Sequence, residues 1–600
     1  MEKPFNQGGA LMKSLGLMVI LMAVSTAATA LGATFNVTNP TEFQSALTAA
    51  AANDDDDVIN VAAGTYNITT TLTYFTDDGD GGHTLTIQGA GAAATVLSGG
   101  GTTPIMSIST DTGLDGGDAG GNIVIRDLTF RDGNNTGSAG GGTNIFSYYA
   151  NVTCEDSIFT NNTADNGGGA LILALYGTVT VTGNTFSSNT SSLASSGGGG
   201  GLAAASQYAS MTLAGNTFSN NSSASGGGGA VAGGGVSLTA SGNVFSGNTA
   251  LTSDPFGGGA IRASGLDGTI LLEGNEFSNN SAPSSHGGGA TVLLMGSGSA
   301  MVSENSFSDN SSGWDGGGAY VFSVGGGAVS VVRNTFSSNT ASGQGGGAAG
   351  GTSGMATFAD NVFFGNSADI GGGLVTGPGN AAGITNVVNN TFSENRASTQ
   401  GGGMAAMLFG ELATMNVYNN IFWNNSALSG ANDGDDVYVN ADIDDNSVGG
   451  PVNLFNNDFS GNANFASAQS EDLVVTLLDN YAQGNNIQQD PFFVNAGLGD
   501  VHLQSASHCI DKGDNNAPSI PATDFDGGSR IVDGDGNSTA VVDIGADEFG
   551  SDASSYAFNV PAMDGWGAFL FAVLAGLAAV SRMRRRAGRT SRNEQVNGDV

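Results

Sequence analysis

The residues best suited to chemistry lie near the C-terminus. Asp524, Asp526, Asp533, Asp535 and Asp543 sit close together in a glycine-rich stretch. Crowded carboxylates are the donor set of a hard cation, and Asp533-Gly534-Asp535-Gly536-Asn537 opens with EF-hand spacing. Its sixth position is Ser538 and its twelfth Ile544, where an EF-hand needs Gly and Glu. The expectation is a looser calcium site on those five aspartates; no other cofactor is implied. His83, His286, His502 and His508 show no metal-ligand spacing. Two cysteines, Cys154 and Cys509, are too few for a disulfide framework and are expected to be buried and unreactive. Trp314, Tyr320 and Trp423 are candidates for a glycan-stacking face, against the plainer reading that they pack.

A polysaccharide lyase or hydrolase needs more. Elimination calls for a basic residue among calcium-binding acids, and hydrolysis for two carboxylates facing each other across a bond. Arg126, Arg131, Arg262, Arg333 and Arg396 recur at unrelated phases and not among paired aspartates. The acids gather in runs at 77–80, 433–436 and 442–445, which read as solvated loops. No catalytic residue is expected. A polysaccharide-active enzyme is the alternative reading, from fold analogy alone.

The element that must position these residues is a repeat. Phe130, Phe159, Phe186, Phe218, Phe245, Phe277, Phe307, Phe336, Phe363, Phe392, Phe422 and Phe459 follow one another at intervals of 27 to 37 residues. A period near 30 marks a solenoid. Five residues before each Phe stands an apolar residue, from Ile125 and Cys154 to Leu454. Seven before is mostly apolar and six before mostly polar, the alternation of a half-buried strand. Asparagine stands two before the Phe in ten copies, Asn184 to Asn457, and three after it in eleven, Asn162 to Asn462. Asn tolerates left-handed turns, and stacked copies can form amide ladders. Glycine runs such as Gly167-Gly168-Gly169 supply the bends. Each repeat reads as one coil of a parallel β-helix, with two or three short strands.

The ends differ from the middle. Lys3 and Lys13, an apolar stretch from Leu15 to Val24 and Ala28-Thr29-Ala30 form a secretory signal over 1–30, with cleavage preferred to an anchor. Residues 31–119 hold the first coils, entered through an Ala-rich helix with Phe43, Ala46, Leu47 and Ala50 on one face. That opening resembles right-handed β-helix proteins, in which such a helix caps the stack. The F-x-x-N and G-G-A elements of 120–470 resemble the polymorphic outer membrane protein repeats of bacterial surface β-helices. This implies surface display and adhesion, without that family's membrane barrel. Asp490-Pro491-Phe492, Ser507-His508-Cys509-Ile510-Asp511 and Val542-Asp543-Ile544-Gly545-Ala546-Asp547-Glu548, within 471–550, resemble the choice-of-anchor Q domain. After a linker, 551–559, residues 560–586 resemble an IPTL-CTERM sorting signal: Val560, Pro561, Trp566, Gly567, an apolar run and Arg584, Arg585 and Arg586. A polar tail, 587–600, follows.

Charge narrows the partners. Between residues 31 and 559 there are seven basic and 49 acidic residues, a net charge of −42. Such a body repels nucleic acids and anionic lipid. The expectation is an all-β, pectate-lyase-like right-handed parallel β-helix with a capping helix and a C-terminal transmembrane or sorting helix. It is exported to the cell surface, outer membrane or medium, or retained at the inner membrane by its C-terminal helix. Its partners are sorting machinery and a glycan or surface ligand, and it meets the membrane through that helix at least transiently.

Overall fold

The computed structural model describes residues 32–551 except 54, 77–81, 111–120, 193–197, 252–255, 379–381, 409–411, 431–432, 442–449 and 477–479. The secretory signal, the sorting segment with Val560 to Arg586, and the acidic runs at 77–80 and 442–445 therefore fall wholly or almost wholly outside the described residues.

Parallel strands stack into sheets of sixteen, thirteen, eleven and fourteen strands. One coil gives one strand to each. The coil around Phe186 runs Val179–Thr182, Thr185–Ser187, Thr190–Ser191 and Leu202–Ser206. There are thus four strands per coil instead of two or three. The extra one is mostly two residues long, too short to show an alternating pattern in sequence. All-β parallel solenoid architecture follows, with one short α-helix among the described residues.

Side-chain alternation builds the core. In the sixteen-stranded sheet the residues seven and five before each Phe point inward and are buried, as Val179 and Val181 are. All twelve repeat phenylalanines are fully buried. The first eleven lie on consecutive strands of one sheet, Phe459 follows just beyond its last strand, and the twelve rings stack at centroid distances of 4.6 to 5.2 Å. That spacing is the strand separation of any sheet. Cys154 replaces an aliphatic residue in this core, and burial pushes its thiol up to about 12.

The asparagines form two buried ladders. In the first, the backbone N–H and Nδ2 of Asn310 both donate to Oδ1 of Asn339, 3.0 Å each. Nδ2 also donates to the carbonyl of Phe277 on the preceding coil, 3.0 Å. The same rung repeats from Asn162 to Asn425. The second ladder runs from Asn184 through Asn457 to Asn486. An oxygen that accepts a backbone N–H fixes the orientation of each amide. Asn462 does not join: it is exposed, and the first ladder ends where Asn425 Nδ2 donates to Asp436 Oδ1 at 2.9 Å.

Left-handed backbone sits one residue before each ladder asparagine, not on it. Asn161, Ser188, Asn220, Asn279, Asp309 and Ser338 precede one ladder, and Asp360, Asn389, Asn419 and Asn456 precede the other; all have φ between 52° and 57°. The preceding residue makes the turn and aims the asparagine inward. In the glycine runs, the first residue is left-handed (Gly316, φ 68°) and the second admits no side chain. A Cβ on Gly317 would meet the Gly346 carbonyl at 2.2 Å.

At the N-terminal end, α1 (Pro40–Ala50) buries Phe43, Ala46, Leu47 and Ala50. Asn39 accepts the Glu42 N–H at 3.0 Å, and Glu42 returns a bond to Thr38, a reciprocal cap. At the other end Phe465 sets its edge on Phe459, closing the ring stack. The coil continues beyond residue 470: Leu473–Val475 and Tyr481–Gly484 still pair with the preceding coil. The change of architecture falls near residue 490.

Replacing Asn310 by Ala leaves two donors of Asn280 and the Phe277 carbonyl unpaired. The expected loss is about 3 kcal/mol by urea denaturation, against under ~0.5 kcal/mol for the outward-facing Ser308→Ala on the same coil.

Candidate functional site

Residues 490–551 fold back against the outside of the last coils. The solenoid prepares a face for them. Residues flanking the buried Phe are Thr185 and Ser187, or Ser306 and Ser308, in the central coils; they become Val362 and Phe364, then Ile421 and Trp423, further on. A second hydrophobic cluster forms there. Val362 and Ile421 meet Phe493, Val501, Leu503, Cys509, Ile510 and Ile544, with Phe364 and Trp423 at its margin.

The left-handed residues supply the polar contacts. Asn389 Nδ2 donates to the Asp543 carbonyl (2.9 Å), and Asn456 Nδ2 to the Lys512 carbonyl (2.8 Å). Asn419 accepts the Asp514 N–H on its side chain and the Gly545 N–H on its backbone, both 2.8 Å. Asn386, six before its Phe, is covered because it donates to Ser519 at 3.0 Å. Gly545 (φ 107°) crosses so close that a Cβ would lie 2.6 Å from Ile421 Cδ1.

Arg530 holds this joint together, a role that its place at the end of Asp524-Phe525-Asp526-Gly527-Gly528-Ser529-Arg530 does not reveal. It is almost fully buried. Its guanidinium donates to the carbonyls of Ala546 (2.7 Å), Asp543 (3.3 Å) and Gly545, shaping the loop that docks. Asp360, from the solenoid, places Oδ1 3.7 Å from Nη1, and Glu548 places Oε2 3.9 Å from Nε. Burial raises Asp360 and Asp543 to about 7 and Glu548 to about 8, with Arg530 opposing the shift in each.

The five aspartates expected to share one cation are divided. Asp524 accepts the N–H groups of Asp526 and Gly528 and the Ser551 hydroxyl. Asp543 accepts the N–H groups of Asp511 and Phe549. Asp526 joins His502 and Asp547, whereas Asp533 and Asp535 join Asp511. Short polar turns drive the division, because each carboxylate first satisfies the backbone of its own turn.

The two groups differ in chemistry. His502 lies between Asp500 (Nδ1, 2.6 Å) and Asp526 (Nε2, 2.7 Å), so both ring nitrogens are engaged. The Asp526 hydrogen bond is the chief reason its pKa rises to about 10, and it sits there as an imidazolium clamp. In the second group the carboxylates of Asp511, Asp533 and Asp535 each bring an oxygen within 4.8 Å of the others. Those three are the residues suited to hold a hard divalent ion.

Two further sequence expectations change. In the 433–436 run, Asp433 and Asp436 are buried, because Asp436 ends the amide ladder and also accepts the Ser460 N–H. Trp423 lies against the docked module, away from Trp314 and Tyr320. Those two meet through His286, a residue with no sequence signal. His286 stacks on Tyr320 (4.1 Å) and takes the edge of Trp314 (5.1 Å); Phe322 stacks on Tyr320 (4.5 Å). His286 Nδ1 accepts the Asp315 N–H at 3.2 Å, and burial lowers its pKa. Trp314 is exposed.

The geometry defines a parallel β-solenoid with a C-terminal module docked against the outside of its last coils. Consistent with that, the family described as right-handed beta helix region matches residues 206–386. No curated relative matches the chain. No helix among the described residues is long and apolar enough to cross a membrane.

Protonation couples to docking with a definite sign. The unfolded carboxyls titrate near 4, but Asp360, Asp543 and Glu548 titrate at about 7 to 8 when folded. Between those limits the folded state holds the extra protons, so stability falls as pH rises. Melting measured at about pH 5.5 is therefore expected to exceed that at about pH 8. Asp360→Asn with Glu548→Gln should reduce the difference, leaving the part that Asp543, Asp458 and His502 contribute with the same sign.

Proposed function

We propose that the protein is an exported β-helix rod that displays binding surfaces outside the cell, rather than an enzyme. The secretory and sorting sequences at its ends motivate the display. The adhesive half rests on one observation: Trp314, backed by His286, Tyr320 and Phe322, sits on the outside of a rigid stack beside Asp315. A supported indole with a carboxylate alongside suits the apolar face and hydroxyls of a sugar ring. The partner is a glycan of the surface to which the rod adheres. The apolar segment after Trp566 is the part that would engage sorting machinery and, for at least part of the protein's life, the membrane.

Calcium is proposed as a structural ligand at Asp511, Asp533 and Asp535, where it would tie the 507–513 segment to the 533–538 turn. Added calcium is expected to raise the melting temperature, and a chelator to lower it, in the parent but not in Asp533→Asn/Asp535→Asn.

On a glycan panel, Trp314→Ala should weaken binding by tenfold or more, about 1.4 kcal/mol, with melting unchanged. Release of unsaturated or reducing ends from the same panel would favour the polysaccharide-active alternative. Mass spectrometry of the mature C-terminus tests display: loss or retention of the apolar run after Trp566 separates a processed from an anchored rod.

A further inference from the structure

Three successive turns between the eleven- and fourteen-stranded sheets build the surface around Trp314: residues 283–286, 313–316 and 342–345. Backbone bonds hold them in step. The Trp314 N–H donates to the Ser285 carbonyl at 3.1 Å, and the Gly343 N–H to the Trp314 carbonyl at 2.9 Å. Asp315 follows the exposed indole, with 29 % of its side chain open to solvent. Its two oxygens are used unequally. Oδ1 accepts the Gln344 N–H at 2.8 Å. Oδ2 lies 3.4 Å from His286 Nδ1, but that nitrogen already accepts the Asp315 N–H. Burial lowers the pKa of His286, so at neutral pH the ring holds no proton on that side. An anionic oxygen therefore faces a lone pair, and it has no donor among the described residues.

The surrounding turns bring no cation to it. Residues 283–286, 313–316 and 342–345 contain no lysine or arginine. Arg262 lies in register with Thr291 and Tyr320, two strands before the tyrosine on the fourteen-stranded sheet. A second acid continues the row instead. The Asp369 N–H donates to the Gly343 carbonyl at 2.8 Å, so Trp314, Gly343 and Asp369 succeed one another on three coils. Two rises separate Asp315 from Asp369, roughly 10 Å along the rod. Between them Gly343 keeps the carboxylate uncovered, because a Cβ there would lie 2.5 Å from Asp315 Oδ1.

Building on the glycan reading of this same site, we infer that the sugar it takes carries a protonated amine, as an amino sugar without its acyl group does. The ammonium meets Asp315 Oδ2. The sugar ring lies on Trp314, whose π-system attracts a neighbouring cation as well as apolar C–H surface. The body between residues 31 and 559, with its net charge of −42, draws such a polymer in and turns away one built of uronates. Acetylation of the amine removes the charge that pairs with Asp315 and so removes the preference. The succession of Asp315 and Asp369 along the rod favours an oligomer over a single sugar.

Binding of the full chain to glucosamine oligomers of equal length, free-amine and N-acetylated, tests this, with a uronate oligomer beside them and a buffer that keeps the amines protonated. The free-amine form is expected to bind at least tenfold more tightly than the acetylated one, to weaken as salt is added, and to leave the uronate unbound. Asp315→Asn still accepts the Gln344 N–H, so melting should hold while the preference for the free amine disappears. Glu276→Gln, which neutralises an exposed acid on the thirteen-stranded sheet, should leave the preference intact. Trp314→Ala should weaken both forms. Equal, Trp314-dependent binding of the two forms, or equal effects of the two acid substitutions, overturns the amine assignment and leaves the glycan reading standing. Binding of neither form, or binding indifferent to Trp314→Ala, overturns both.

Discussion

Everything in this molecule depends on the register between one coil and the next, and a bidentate amide contact sets it. A ladder asparagine presents one oxygen to two donors of its neighbour and sends its own amide both forward and back. Each coil gains two such contacts, one on either side of the stacked phenylalanine. Buried amides left unpaired would be costly, so a coil shifted by one residue would lose hydrogen bonds and ring stacking together. The arrangement tolerates insertions outside the strands and glycine runs; the interval between repeats varies from 27 to 37 residues without disturbing the stack.

The same turns that aim the asparagines inward turn their predecessors outward. Elsewhere the positions hold glycine or polar residues, including the paired Glu304 and Arg333. Over the last coils the row becomes Asp360, Asn389, Asn419 and Asn456, and each contacts the C-terminal module. Docking thus uses an address system already present in the repeat. Arg530 supplies the specific element: it orders the 543–548 loop from within and meets Asp360 from the solenoid. A buried cation with several carboxylates around it makes the joint sensitive to protonation, as are the buried carboxylates Asp436 and Asp458 of the last coils.

The parallel coil, the buried phenylalanines and the inward positions five and seven before them were legible in the sequence because they recur. Recurrence also revealed the asparagine ladders. It did not reveal which residue of the turn is left-handed, since both are small and polar. The functional groups were harder to read because they do not repeat. His286 joins Trp314 and Tyr320 only because adjacent coils bring 286 and 315 together. The Asp524 to Asp543 set looked like one site because the residues are neighbours in sequence; in space their turns separate them, and Asp511, from an earlier segment, takes a place beside Asp533 and Asp535. The change from Thr and Ser to Val362, Phe364, Ile421 and Trp423 beside the repeat phenylalanine was a readable sign of the docked module.

The amide ladders also have a direction. Every rung donates toward the C-terminal end, so the small dipoles of the side chains align along the rod much as peptide dipoles align in a helix. The donor end of one column is terminated by a carboxylate, Asp436. The solenoid is therefore electrically polar along its length: its two ends are chemically distinct even where the coils between them are nearly identical. A coil added beyond Asn425 would have to accept from that amide, whereas one added before Asn162 would have to donate to its column. Growth of such a stack by duplication is consequently insertion into an oriented column, and the acid that ends the column marks where insertion stops.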